Sequence, residues 1–306
     1  MRDSSFFPQA DLLVQALPFV HAEACFALKG GTAINFFVRD FPRLSVDIDL
    51  VYLPVEDRPT TLRGIDAALR RIAGAVRRAF AGVQVRELRS LGEDHVTKLA
   101  LRTRVGAEIK IEPSTVLRGT LHPTVDRALA PRAVAVFGRS VTMRVVSLPD
   151  LYGGKLCAAL DRQHPRDLFD VRGLFAAEGL TDEIRRAFVV FLASHDRPMG
   201  ELLMPNVKDL ARIYAEQFSG MTDPPVALAE LEAARAELIA RINAELTRPE
   251  REFLLSLKRK EPQWDLLGLP GVARLPGPQW KLYNLRKMPA AKHAEAVARL
   301  KAKLGL

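Results

Sequence analysis

Cysteine is scarce in this 306-residue chain, with only Cys25 and Cys157 present. Neither stands in a metal or redox spacing, so a disulfide scaffold, a zinc module and a thioredoxin-type centre are all excluded. Long apolar runs are also missing. None approaches the roughly 20 residues that a membrane helix needs, so no membrane role is expected. No basic region followed by an apolar core opens the chain, and a cytoplasmic setting is expected. The six histidines, His21, His95, His122, His164, His195 and His293, fall on separate segments and suggest no metal cluster. No Gly-x-Ser-x-Gly elbow occurs. Gly153-Gly154-Lys155 lacks the upstream glycine of a phosphate-binding P-loop and lies within a helical pattern.

What is present is the balance of an ordinary globular protein, 48% hydrophobic and 26% charged, long enough for about two domains. The net charge is +9 and is unevenly placed. Residues 251–306 hold 12 Lys/Arg against 4 Asp/Glu, and residues 1–250 hold 33 against 32. Trp264 and Trp280, the only tryptophans, lie in that same basic segment, with Phe253 and Tyr283. Cations interleaved with aromatic rings suit a partner that carries both phosphates and bases. A solvated surface with packing anchors would produce the same composition.

Periodicity divides the chain. Helical spacing marks 11–22, 31–40 and 61–80, and strand-like alternation marks 44–53, 83–90, 95–104 and 107–113. A further apolar, β-rich stretch covers about 133–147. From Pro149 onward nearly everything is helical, over 149–162, 166–178, 181–195, 206–218, 225–246, 249–260 and 289–304. The expected class is α+β. An α/β unit with a mixed sheet spans 1–147, and a helical unit spans 148–306 and ends in the basic segment. Residues 262–280, rich in Pro and Gly, read as a link within the second unit.

The chemistry concentrates at Gly30-Gly31-Thr32 and Asp47-Ile48-Asp49. Alternation over 44–53 puts Val46, Ile48 and Leu50 on one face, and Ser45, Asp47 and Asp49 on the other. The two carboxylates are then separated by about 7 Å along the strand. Aligned carboxylates repel, and a divalent cation between them relieves the repulsion. Mg²⁺ favours oxygen ligands and commonly bridges carboxylates to nucleotide phosphates. Paired glycines let backbone amides approach an anion at the start of a helix. On the 107–113 strand, Glu108, Lys110 and Glu112 share a face. A structural reading of Glu112 is an ion pair with Arg118. Lys155 sits among apolar residues, where burial demands an anion, unless its stem only snorkels. Asp167 and Asp170 share a helix face, and Asp167 is also placed to cap that helix.

The stretch LKGGTAINFFVRDFPRLSVDIDLVYLP resembles the first motif of the nucleotidyltransferase superfamily, a glycine turn and helix followed by Asp-x-Asp. With IKIEPSTVLRGTL and SLPDLYGGKLCAALDRQHPRDLFDVRGL, the chain is similar to the AbiEii/AbiGii toxins of bacterial toxin–antitoxin and phage-defence systems. The resemblance implies a nucleotidyltransferase fold that works with Mg²⁺ and an NTP. Its product is a nucleotide joined to a target, for some members the 3′ acceptor end of tRNA, which stops translation. It also implies a cognate antitoxin. Carried onto this chain, Gly30, Gly31, Thr32, Ser45, Lys155 and Arg166 would contact the nucleotide. Asp47 and Asp49 would hold the metal and act in catalysis, and Asp167 or Asp170 would supply a further acid. The superfamily also uses a third acidic residue on a neighbouring strand to help activate the attacking hydroxyl, and Glu112 is the candidate here, departing from the usual aspartate. Two alternatives remain open: transfer to a protein or small molecule, and a non-catalytic RNA-binding or interaction protein.

Overall fold

A computed structural model describes residues 1–90, 92 and 94–306. The chain divides into two compact units, one of Met1–Ser147 with Ser219–Pro225, the other of Leu148–Phe218 with Val226–Leu306.

The first unit begins with α1 (Phe7–His21) and β1 (Phe26–Lys29), followed by a single helical turn α2 (Gly30–Ala33) that continues as a π-helical turn over Ile34–Val38. Next come β2 (Asp47–Tyr52), α3 (Arg58–Ala79), β3 (Val83–Arg89), β4 (Val96–Thr103), β5 (Glu108–Arg118), β6 (Val125–Ala128), α4 (Pro131–Phe137) and β7 (Thr142–Val145). The strands form one mixed sheet in the order β3-β4-β5-β2-β1-β7-β6. β2 lies at its centre, antiparallel to β1 and parallel to β5. Ile48 and Leu50 are fully buried, and α3 adds a stripe of Leu62, Ile65, Leu69, Ile72 and Val76. The hydrophobic periodicity of α3 follows the helical repeat, which is why its extent was legible.

Three local readings are corrected in this unit. Only the first turn of the expected 31–40 helix is α-helical; the remainder widens into the π turn. The 44–53 strand starts at Asp47, because Arg43 bridges Thr222 and the Leu44 amide donates to the Met221 carbonyl (2.8 Å). Ser45 lies just before the strand and is buried against Thr32 and Gly31. Residues 131–137 are helical, not β. Pro131 occupies the first turn, and Gly138 ends the helix in the left-handed region (φ 66°), the Pro-in, Gly-out arrangement of a short helix.

The second unit comprises α5 (Leu148–Arg162), α6 (Pro165–Ala177), α7 (Asp182–Ser194), α8 (Met199–Leu203), α9 (Ala211–Gln217), α10 (Leu228–Glu245), α11 (Arg248–Lys258), α12 (Pro276–Arg286) and α13 (Ala290–Leu304). α5 packs closely on α7. A Cβ at Gly153 would stand 2.9 Å from the Ala187 backbone, so this glycine serves helix contact. The 262–280 stretch is structured, with 3₁₀ turns at Trp264–Leu267 and Val272–Arg274 before α12 begins. α8 escaped the periodicity because five residues are too few to display one. Among the described residues no helix is long and apolar enough to cross a membrane.

Candidate nucleotide-binding site

In the first unit the sheet register assembles the polar residues. Lys29 pairs with Asp49 across β1 and β2. Asp47 pairs with Lys110, and Asp49 with Glu112, across β2 and β5. Cross-strand partners point to one face, so Asp47, Asp49 and Glu112 share it with Lys29 and Lys110. Asp47, Asp49 and Glu112 are each half-buried. The Glu112 carboxylate accepts from Lys98 Nζ (3.0 Å), not from Arg118, whose guanidinium donates to the Glu56 carbonyl and to Thr61. Lys98 was not anticipated as a partner, since a contact between strands leaves no mark in local spacing.

The glycine turn is fitted to this face. Gly30 has φ 74°, a region that disfavours side chains, and a Cβ there would lie 3.0 Å from Asp49 Cβ and 3.1 Å from its Cγ. A Cβ at Gly31 would meet Arg43 Nη2 at 2.6 Å and Ser45 Oγ at 3.2 Å. The Thr32 hydroxyl lies 2.6 Å from the Asp47 carbonyl oxygen and 2.9 Å from Ser45 Oγ. Thr32 and Ser45 are buried, and their hydroxyls tie the glycine turn to the start of β2. The fully buried Arg43 behind Gly31 was not foreseen, because its loop position between Pro42 and the strand gives no periodic signal.

Among the described residues no group of three or more His, Cys, Asp or Glu side chains is gathered to enclose a metal. The donor set is instead a pair of strand carboxylates beside a turn that can take an anion. That set fits Mg²⁺, which retains waters and takes substrate phosphates as further ligands.

In the second unit Lys155, Asp167 and Asp170 come together. Lys155 Nζ lies 2.8 Å from Asp167 Oδ1 and 2.9 Å from Asp170 Oδ2, and all three residues are buried. Arg162 adds a second cation to Asp167 at 2.9 Å. Burial by itself would raise the Asp167 carboxyl, but the charges of Lys155 and Arg162 outweigh it and hold this group far below the usual carboxylate range. Two aspartates therefore supply the anion that a buried lysine requires. Asp167 does not cap its helix. His164 does so, its Nδ1 accepting from the Arg166 amide (3.1 Å) while Nε2 meets Gln217 Oε1 (3.1 Å). Burial lowers the His164 pKa, consistent with a neutral ring that donates to Gln217. Arg166 is half-buried.

A mixed sheet carrying two aspartates on its central strand, facing a glycine turn, defines a nucleotidyltransferase-type unit, here accompanied by a helical unit. The profile of the nucleotidyl transferase AbiEii toxin family, type IV toxin–antitoxin system, matches residues 11–269, and the chain belongs to that family. It is a nucleotidyltransferase toxin by family, a class that implies an NTP substrate and an antitoxin partner. Its fold is similar to that of MenT4, a nucleotidyltransferase toxin from Mycobacterium tuberculosis H37Rv, with a TM-score of 0.59 and 17% identity over 95% of this chain and 92% of that one. No match is found among curated protein sequences.

Proposed function

We propose that this chain transfers a nucleoside monophosphate from an NTP to RNA, with the 3′ acceptor end of tRNA as the target, and so blocks translation. The observation that carries the reading is the placement of Asp47 and Asp49 on one sheet face against the Gly30–Thr32 turn. Asp47 and Asp49 would hold Mg²⁺, which when bound neutralises charge on the triphosphate and its leaving group. The amides of the glycine turn receive phosphate oxygens, and the Thr32–Ser45 hydrogen bond fixes that turn against β2. The acceptor hydroxyl oxygen bonds to the α-phosphorus as the bond from that phosphorus to the bridging oxygen breaks, releasing pyrophosphate. Its proton passes to a nearby carboxylate, for which Glu112 beside Asp49 is the candidate in this unit. The family resemblance assigns Lys155 and Arg166 of the second unit to phosphate, and one of Asp167 and Asp170 to catalysis; within that unit Lys155 is held by both aspartates. The basic segment 251–306 supplies attraction for a polyanionic acceptor. A cognate antitoxin, a cytoplasmic setting and a part in phage defence complete the reading.

The test is incubation of purified protein with Mg²⁺, unfractionated tRNA and each α-labelled NTP in turn. Label is expected on RNA with at least one NTP. Label only on protein or a small molecule, or no label at all, ends the RNA-transfer reading.

A further inference from the structure

The α12 helix has two unlike sides. On one, Lys281, Leu282 and Leu285 are buried, and Lys281 Nζ donates to the carbonyl oxygens of His195 (2.6 Å), Asp196 (3.3 Å) and Arg197 (2.8 Å). Those contacts tie α12 to the end of α7. On the other side Trp280 and Tyr283 are 47% and 46% exposed, the most exposed aromatic residues among those described. Burying these rings would ordinarily be favourable, yet they lie against each other in the open, with centroids 5.4 Å apart and planes 22° apart. Lys287 Nζ sits 4.1 Å from the Tyr283 ring centre. Spacings of three and four residues align all three side chains along one helix stripe.

The charged residues of the segment that carries the stripe are all cationic, and the nearby acids Asp196 and Glu201 act on Lys281, on the buried side. Between Asp265 and Glu295 there is no acidic residue, while Arg274, Lys281, Arg286, Lys287 and Lys292 fall in that interval. All of these except Lys281 are exposed. A protein-binding surface would favour Trp and Tyr as well, but lysine is depleted from such interfaces. Flat rings that receive base faces, flanked by cations for the connecting phosphates, fit an unpaired stretch of nucleic acid.

We infer that Trp280, Tyr283 and Lys287 form a stacking platform for unpaired nucleotides of the RNA acceptor. The inference rests on the reading that the acceptor is RNA, and it adds the residues that grip the single-stranded part.

The experiment measures binding of a fluorescein-labelled 12-nucleotide single-stranded RNA, and of the duplex of the same sequence, to the full chain without NTP. The Trp280→Ala/Tyr283→Ala variant is expected to lose about tenfold or more in single-strand affinity and less than about twofold for the duplex. Trp280→Phe retains most of the affinity, and Lys287→Met reduces the salt slope by about 1. A second readout needs no destabilising change: RNA quenches tryptophan emission in the unaltered protein, and Trp280→Phe removes that quenching while Trp264 remains. Unchanged single-strand affinity in a folded double variant overturns the inference and assigns the face to a protein partner. Equal losses for both RNAs, or emission indifferent to saturating RNA, also overturn it. Because no NTP is present, normal RNA binding without label transfer would fail the transfer reading alone.

Discussion

The carboxylate of Asp49 occupies the space that a side chain on residue 30 would need: a Cβ at Gly30 would stand 3.1 Å from Asp49 Cγ, with the backbone at φ 74°. The glycine turn and the acidic strand are thus fitted to each other, and neither can change independently. Gly30→Ala is expected to incur about 1–2 kcal/mol of backbone strain and to push Asp49 from its position. Calorimetry of the variant should show a lowered Tm and loss of the stabilisation that Mg²⁺ with NTP gives the parent. Retained stabilisation would mean that the turn does not shape the nucleotide site.

Glu112 stands beside Asp49 in register and holds Lys98. Its ion pair is partly exposed, with side chains 45% and 28% accessible, and pairs of that kind contribute under about 1 kcal/mol. Glu112→Gln should therefore unfold at nearly the parental denaturant concentration, yet turn over about 10²-fold more slowly if Glu112 takes the acceptor proton. Parental turnover would leave Glu112 only its ion pair with Lys98.

How far the sequence discloses this site depends on distance along the chain. Asp47 and Asp49 were legible because strand alternation and the nearby glycines are local signals. The strand's start was placed too early, because Arg43 pairs with Thr222 and Leu44 with Met221, contacts from far along the chain that no periodicity reports. The same limit hid Lys98 beside Glu112 and Arg43 behind Gly31. The helical second unit was largely readable from its apolar stripes. Its caps were less so: His164, not Asp167, closes the start of α6, because Asp167 is drawn inward by Lys155 and Arg162.

That inward pull carries a stability consequence. Asp167 has a folded pKa depressed by Lys155 and Arg162 against the opposing effect of burial. The unfolded carboxyl titrates near pH 3.9. Its contribution is therefore fully present above about pH 4 and is lost as pH falls from there toward the lower folded value. Urea unfolding at pH 7, 4 and 3 should show a steeper acid loss for the parent than for Asp167→Asn. Removing the cation instead, in Lys155→Met, leaves buried carboxylates without their shared partner and should cost about 3–5 kcal/mol at pH 7. A near-neutral Lys155→Met would show that the cluster is not a coupled unit.

Asp47 and Asp49 provide the most direct test of the account. Purified parent, Asp47→Asn and Asp49→Asn proteins would be incubated with Mg²⁺, α-labelled NTPs and unfractionated tRNA, with Tm recorded for each. Metal-held phosphate chemistry accounts for several kcal/mol of barrier lowering, so either variant should incorporate label at least about 10³-fold more slowly at an unchanged Tm. Labelling of RNA at the parental rate by folded Asp47→Asn would contradict the assignment of this strand pair to the nucleotide.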